Sequence, residues 1–320
     1  MIIVTGGAGF IGSNTIKALN KIGEENIIVV DNIANSKKWE NLIGKRFNEY
    51  VNKDDLWEWF RMNSYDNIDA IIHLGARTDT LSSDFDYLIR NNFNYSRRLW
   101  SICVREKITF LYASSASTYG IGSMDFSDDH DYVKNLIPVN AYGFSKHLFD
   151  IWVLKQNNTP PKWYGMKFFN VYGPNETHKG RMASTVYHSI EQANNNSKIK
   201  LFKSNNNKYK DGEQKRDFVF VEDTVMIMIN LLKKNCASGL YNLGTGSARS
   251  FNELAQIIFK EIKKESIIEY FDMPKQLMQQ YQNYTKADMT KLISTEIDYE
   301  PTSLELGVGQ YVKWFFRNRR

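Results

Sequence analysis

The chain has 320 residues, 42% of them hydrophobic and 24% charged, with a formal net charge of +5. Those proportions exclude a disordered or fibrous protein and allow one large α/β domain, or two smaller ones, around a buried core. No apolar run is long enough to span a bilayer, Lys and Arg are dispersed, and only Cys103 and Cys236 are present; these features argue against membrane, nucleic-acid-binding and disulfide-stapled classes and point to a reduced, cytoplasmic setting.

The first twelve residues read MIIVTGGAGFIG. Ile2, Ile3 and Val4 form an apolar run suited to a buried parallel strand, so no signal peptide is expected. Gly6, Gly9 and Gly12 then open a helix: one permits the tight turn, one lets a pyrophosphate approach the backbone, one lets the helix pack closely on the strand. The N–H groups and dipole of that helix start favour phosphate. Ile27–Val30 is the next strand, and Asp31 ends it where a carboxylate meets an adenosine ribose. Together these segments predict a nicotinamide dinucleotide site. Asp31 favours a free ribose 2′-hydroxyl, whereas Lys37 and Lys38 nearby can neutralise a 2′-phosphate.

Further strands are expected near Ala70–Leu74, Thr109–Ala113 and Trp163–Phe169, with helical periods in SNTIKALNKI and YSRRLWSICVRE between them. The alternation predicts a doubly wound parallel sheet of the α/β class. Cys103 lies in a helical period and reads as a buried thiol. After Pro174 the pattern changes. Asn-rich loops appear, the polar stretch Lys203–Gln214 separates LF from RDFVFV, a strand and turn are expected near Gly239–Gly246, and FNELAQIIFKEI is an amphipathic helix. Residues 1–171 with about 217–246 are expected to form the dinucleotide-binding domain, and about 172–216 with 247–320 a smaller substrate domain. The closing Arg317, Arg319 and Arg320 read as a solvated helix end.

Tyr142 and Lys146 lie one helical turn apart in YGFSK, on one helix face. A tyrosine with an ammonium and a cationic nicotinamide beside it is expected to have a lowered pKa and to act as acid and base. Ser115, at the end of a strand, can hydrogen-bond a substrate oxygen; the alternative is a strand-end turn serine. Lys179 in THKGR is a solvated loop lysine unless it is desolvated beside Arg181, when its pKa falls and it can serve as a base. His178 reads as a surface or packing residue, and no histidine spacing suggests a metal. Arg216 in KRDF suits phosphate, or else a salt bridge to Asp217 or Asp223.

TGGAGFIG, HLGA, YASSASTYG, YGFSK, FFNVYGP, RDFV and NLGTG together resemble the extended short-chain dehydrogenase/reductase superfamily over nearly the whole chain. FFNVYGPNETHKGRMAS, SKKWENL and YQNYTKADMTKL are most similar to its 6-epimerases of an ADP-linked heptose. The resemblance implies a Rossmann-like fold with a smaller substrate-binding domain. It implies NADP, with NAD as the other possible form, and a homo-oligomer serving lipopolysaccharide core synthesis in the cytoplasm. It implies inversion of C6 in ADP-D-glycero-D-manno-heptose through a 6-keto sugar, with Tyr142 and Lys179 as the two acid/base groups, assisted by Ser115 and Lys146. It places Phe10, Ile11, Asp31, Asn32, Lys38, Lys53, Leu74, Gly75, Ala76, Arg77, Asn91, Lys146 and Val171 on the cofactor. It places Asn170, Arg181, His188, Phe202, Lys203, Ser204, Asn205, Arg216 and Tyr281 on a nucleotide-sugar substrate.

Two segments depart from the family pattern. LGARTDT stands where some members have EGACSST, and Lys203–Gln214 is longer than in those members. A UDP-hexose 4-epimerase and a non-catalytic NADP-binding protein are the other readings. A 4,6-dehydratase is disfavoured because Ala116, Ser117 and Thr118, rather than a carboxylate pair, follow Ser115.

Overall fold

The computed structural model describes residues 1–80, 84–122, 126–234, 236–278 and 280–318; the expectation for Arg319 and Arg320 lies outside them. The strands of the larger sheet are β1 (Ile2–Thr5), β2 (Ile27–Asp31), β3 (Glu49–Asn52), β4 (Ala70–His73), β5 (Thr109–Ser115) and β6 (Trp163–Phe168). Three short strands follow, β7 (Asn170–Tyr172), β8 (Ile199–Phe202) and β9 (Lys215–Phe220). The last three are β10 (Gly239–Leu243), β11 (Ala248–Ser250) and β12 (Ile268–Phe271).

Seven strands form one parallel sheet in the order β10-β6-β5-β4-β1-β2-β3. Every residue of β2, β4, β6 and β10 is buried, as helices on both faces of a parallel sheet require. The order reverses between β1 and β4, which opens a crevice at their carboxyl ends. This is the doubly wound α/β fold expected from the alternating pattern. The polar segment EYVN gave no strand signal, yet it forms the edge strand β3, with Val51 as its one buried residue.

A three-stranded sheet, β11-β9-β7, and the pair β12-β8 lie outside the large sheet. The helices Thr185–Asn196, Phe251–Ile262 and Leu304–Asn318 pack on them around Tyr172, Ile190, Phe218, Leu254, Ile258 and Tyr311. The first core takes the large sheet, the helix Val221–Lys233, and Ala287, Met289, Leu292 and Ile297 from late in the chain. Cys103 and Cys236 are buried and unpaired.

Backbone packs closely on backbone at the start of the helix Phe10–Lys21. Gly6 has φ +68°, and a Cβ there would lie 2.7 Å from the amide nitrogen of Gly75. A Cβ on Gly12 would strike the carbonyl oxygen of Gly6. Gly12→Ala is therefore expected to push this helix off β1 and cost about 1–3 kcal/mol, as overpacking does. A thermal melt several degrees below wild type checks it; an unchanged melt would contradict the close packing.

Candidate functional site

The crevice between β1 and β4 continues into a cleft of about 960 Å³ that runs from the glycine turn to the second group of elements. Its walls include Gly6, residues 9–12, Asp31, Lys38, residues 74–80, Ser115, Tyr142, Lys146, Asn170, Val171, His178, Lys179 and Arg181. The helix Phe10–Lys21 begins at Gly9 without a side-chain cap, so the N–H groups of its first turn have no local carboxylate or hydroxyl competing for them. That uncapped start, and a turn into which no Cβ fits at Gly6 or Gly12, suit the pyrophosphate of a dinucleotide.

Asp31 is buried at the end of β2. Its carboxylate accepts from the amides of Ala8 (2.9 Å) and Asn32 (2.7 Å) and pairs with Lys38 Nζ at 2.5 Å. Beyond it lies a smaller cavity of about 200 Å³, lined among others by Asn32, Lys38, Lys53, Arg77, Tyr87, Asn91 and Tyr95. Lys53 reaches it while pairing with Asp54 at 2.6 Å. Lys37 is exposed and lines neither cavity.

Tyr142 and Lys146 sit on the helix Ala141–Leu154, whose N-cap Asn140 accepts from the amide of Gly143 at 2.7 Å. Gly143 packs on the carbonyl of Ser117, which draws the helix start against the turn after β5. Tyr142 hydrogen-bonds Ser115, and Ser115 Oγ also accepts from the amide of Ser117 at 3.1 Å. Lys146 Nζ donates to the carbonyl of Ala113 at 2.8 Å. Burial lowers the Lys146 pKa to about 8, against a nearby Asp150. The Tyr142 phenol departs from expectation. Burial pushes its pKa up, the Ser115 hydrogen bond only partly opposes this, and Lys146 does not figure among the causes. The protein's own groups therefore do not supply the downward shift expected from the Tyr–Lys spacing.

Lys179 arrives from the other side, in the 3-10 segment Thr177–Met182. Its Nζ lies 5.4 Å from the ring centroid of Phe10. Burial lowers its pKa and Glu176 opposes the shift. The cause is burial, not Arg181, which is exposed and pairs with Asp79 at 2.8 Å; Arg77 reaches the same carboxylate at 3.3 Å. The Lys179 loop is sewn to the glycine turn. Asn41 Nδ2 donates to the carbonyls of Ala8 (3.0 Å) and Asn175 (3.2 Å). Asn14 Nδ2 donates to the carbonyl of Pro174 at 2.9 Å, and Asn175 Nδ2 to Ser13 Oγ at 3.1 Å. His178 lies 3.2 Å from Asn41, and burial with Lys38 and Lys179 nearby holds its pKa at about 4. It is thus a neutral packing residue on the cleft wall.

The residues assigned to the substrate divide. Asn170 and Arg181 line the cleft. Phe202, Arg216 and Tyr281 form a second cluster, with the Arg216 guanidinium 4.9 Å from the Tyr281 ring centroid and 5.4 Å from that of Phe251; Phe202 and Tyr281 meet edge to face at 6.1 Å. Phe251 packs on Phe218, which also lines the cleft. Arg216 is 7% exposed. Neither proposed salt bridge forms: Asp217 accepts from Thr245, Gly246 and Ala287, and Asp223 from Thr302. Burial lowers the Arg216 pKa, opposed by Tyr281 and by Tyr209 from the long loop. Lys203 turns outward to Asp272 at 3.1 Å. Ser204 N donates to Asp211 and Asn205 to the carbonyl of Met278. His188 lies 3.9 Å from Glu191 on its own helix and is not brought into the cleft.

Sequence reasoning missed Asn41, Asp79 and Tyr209. Asn41 lay inside a segment already singled out, SKKWENL, and Asp79 inside the departing LGARTDT; a polar residue that bridges two loops has no periodic signature.

Residues 2–244 match the NAD dependent epimerase/dehydratase family. The protein named ADP-L-glycero-D-manno-heptose-6-epimerase in Fusobacterium nucleatum subsp. nucleatum is 44% identical over 322 residues, covering 98% of this chain and 97% of that one. Its namesake in Nitratidesulfovibrio vulgaris is 43% identical over 316 residues, covering 98% of both. The crystal structure of the Helicobacter pylori protein of the same name matches with a TM-score of 0.83 at 30% identity, covering 98% of this chain and 96% of that one.

A buried guanidinium without a carboxylate raises the energy of the folded protein and favours an incoming anion. Arg216→Met is expected to leave the melting temperature equal or higher while weakening the binding of ADP about tenfold or more. Calorimetric titration with ADP, beside a thermal melt, measures both; undiminished ADP affinity would contradict an anion site here.

Proposed function

The chain belongs to the NAD dependent epimerase/dehydratase family, and on that premise we propose that it inverts C6 of the heptose in ADP-D-glycero-D-manno-heptose to give ADP-L-glycero-D-manno-heptose. The observation that carries the reading is the convergence of Tyr142 and Lys179, from separate elements, on one cleft that starts at the glycine turn. Similarity to enzymes of that name over nearly the full chain supports it.

A nicotinamide dinucleotide held at the glycine turn would supply the hydride acceptor and donor at C6. One of Tyr142 and Lys179 takes the proton of the C6 hydroxyl, leaving a 6-keto sugar; the other returns a proton after the ketone has turned over. C6 lies outside the pyranose ring, so rotation about C5–C6 exposes the second face while the rest of the substrate stays bound. The oxygen then occupies two positions, which is why two acid/base groups on opposite elements suit the reaction. Ser115 donates to the oxygen as charge develops. Arg216 and its aromatic neighbours hold the diphosphate.

We read the cofactor as NADP. Lys38 stands on the Asp31 carboxylate and Lys53 lines the cavity beyond it, where a 2′-phosphate would be neutralised. Cytoplasmic location is supported by the unpaired cysteines. A homo-oligomer is supported by the exposed, stacked Phe85 and Phe144.

NMR of the purified protein with ADP-D-glycero-D-manno-heptose and no added cofactor is expected to show the L-glycero epimer. Tyr142→Phe and Lys179→Met should each lower kcat by roughly 10²–10⁴-fold. No conversion by the wild type, even with NADP+ supplied, would reject the heptose reading. Lys38→Ala frees Asp31 for a ribose hydroxyl and should shift preference from NADP toward NAD about tenfold. Binding titrations with both cofactors measure this, and an unchanged ratio would count against the phosphate role.

A further inference from the structure

On the helix that carries Tyr142 and Lys146, one turn past Lys146, stands a carboxylate that the mechanism above does not use. Asp150 and Lys167 of β6 are both fully buried and pair at 2.9 Å. Asp150 also accepts from Tyr112 Oη at 3.0 Å and from Ser114 Oγ at 2.6 Å. Lys167 donates further to Thr118 Oγ1 at 2.8 Å and lies 5.0 Å from the Tyr119 ring centroid. Thr118 Oγ1 in turn donates to the carbonyl of Ser115 at 2.8 Å. One ion pair thus holds the side chain of Ser114 directly and the backbone of Ser115 through Thr118, while Lys146 grips Ala113 next door.

A buried ion pair is a poor stabiliser, since apolar residues of similar volume often serve stability as well or better. What such a pair adds is direction. Three donors from two strands meet one carboxylate, and they meet it in a single register of helix against sheet. We propose that Asp150, through its pair with Lys167, is a positioning residue for the epimerase reaction, setting Tyr142 and Lys146 against Ser115. The inference rests on the reading of those three residues as reacting groups.

The groups that feel or face the carboxylate are Lys167, Tyr112, Tyr119, Lys146, Tyr142 and His147. Its charge favours the protonated forms of Tyr142, Lys146 and His147. At Lys146 it opposes burial, so without it the pKa of about 8 falls further; Tyr142 also loses its proton more readily.

Asp150→Asn alone strands the Lys167 charge in a dry interior and is expected to fold poorly. The test is therefore the double variant Asp150→Asn/Lys167→Gln, with Lys167→Arg as the conservative control. The double variant is expected to melt within a few degrees of wild type. Its kcat should fall about tenfold or more, as misplaced catalytic groups cause, with KM little changed. The pH profile of kcat should move to lower pH, and a crystal structure should show Lys146 released from the Ala113 carbonyl. Lys167→Arg should keep the wild-type profile. A stable double variant with wild-type kcat, unshifted profile and Lys146 still on Ala113 would overturn the proposal and leave the pair as a brace. If the wild type itself does not epimerise the heptose, the functional reading falls, and the crystal structure alone then decides whether Asp150 positions Lys146.

Discussion

The cleft depends on two backbones lying closer together than side chains allow. Gly6 after β1 and Gly75 after β4 approach until no Cβ fits on Gly6, and Gly12 lets the first helix rest on the same turn. From this contact a hydrogen-bond chain runs to the far wall. The amide of Gly75 donates to Thr5 Oγ1. Ser96 Oγ gives its one proton to the carbonyl of Asn92, so at 2.8 Å it accepts from His73 Nε2, and Nδ1 then accepts from the Thr5 hydroxyl at 2.6 Å. From there Asn92 Nδ2 donates to Ser145 Oγ, and Ser145 to the carbonyl of Tyr142. Burial holds the His73 pKa at about 3, so the ring is neutral, with one donor and one acceptor nitrogen for these two bonds. The position of Tyr142 is thus tied, link by link, to the turn beneath the pyrophosphate.

The cations of the site fall into two kinds, and the division follows what each can do. Lys38 and Lys167 have carboxylates at 2.5 Å and 2.9 Å; the fully buried Lys167 fixes geometry, while Lys38 also faces the cavity beyond Asp31. Arg216, Lys146 and Lys179 are desolvated, and the structure shows no ion pair to any of them among the described residues. A cation buried in this way costs stability unless an anion or a proton transfer uses it. A lysine with a depressed pKa gives up its proton more readily, whereas a guanidinium stays charged. Two such lysines therefore border the cleft, and the arginine is set apart among aromatic rings, where its chemistry suits holding an anion rather than moving a proton.

Much of this was legible in the sequence because it rests on periodicity and on glycine. The apolar runs of β1, β2, β4, β5, β6 and β10 could be read directly, since strands buried on both faces carry few polar residues, Asp31, Lys167 and Asn242 among them, to blur the pattern. The edge strand β3 escaped because one of its sides faces solvent and EYVN holds a single buried residue. Tyr142, Lys146 and Ser115 were legible as spacing on a helix and as a strand end. The direction of the Tyr142 shift was not, because desolvation depends on packing that a local spacing cannot report. Arg216 stood out as a phosphate ligand or an ion-pair partner, and only the fold shows that both nearby aspartates are committed to backbone amides elsewhere. His188 is the opposite case. Its place in the family pattern is matched, but its helix does not bring it to the cleft wall.

Lys179 raises a harder physical problem than Tyr142, because it comes from a loop rather than from a helix braced on the sheet. Gly180, with φ +53° and nothing near its missing Cβ, lets the chain reverse immediately after the lysine. Such a loop would wander if it were held only at its ends. It is tied down instead at Pro174 and Asn175, by Ser13 and Asn14 of the first helix and by Asn41 of the 3-10 segment Lys37–Leu42, which also holds Ala8 of the glycine turn. Glu176, fully buried, closes the loop from inside by accepting from Gly173 and from both Ser184 N and Oγ. The two acid/base candidates are therefore referenced to one origin, Tyr142 through the Thr5–His73–Asn92 chain and Lys179 through Asn14 and Asn41. A displacement of the glycine turn moves both walls of the cleft together. For a reaction proposed to take a proton from an oxygen on one side and return one to it on the other, the quantity to be conserved is the separation between those walls, and a shared anchor conserves it.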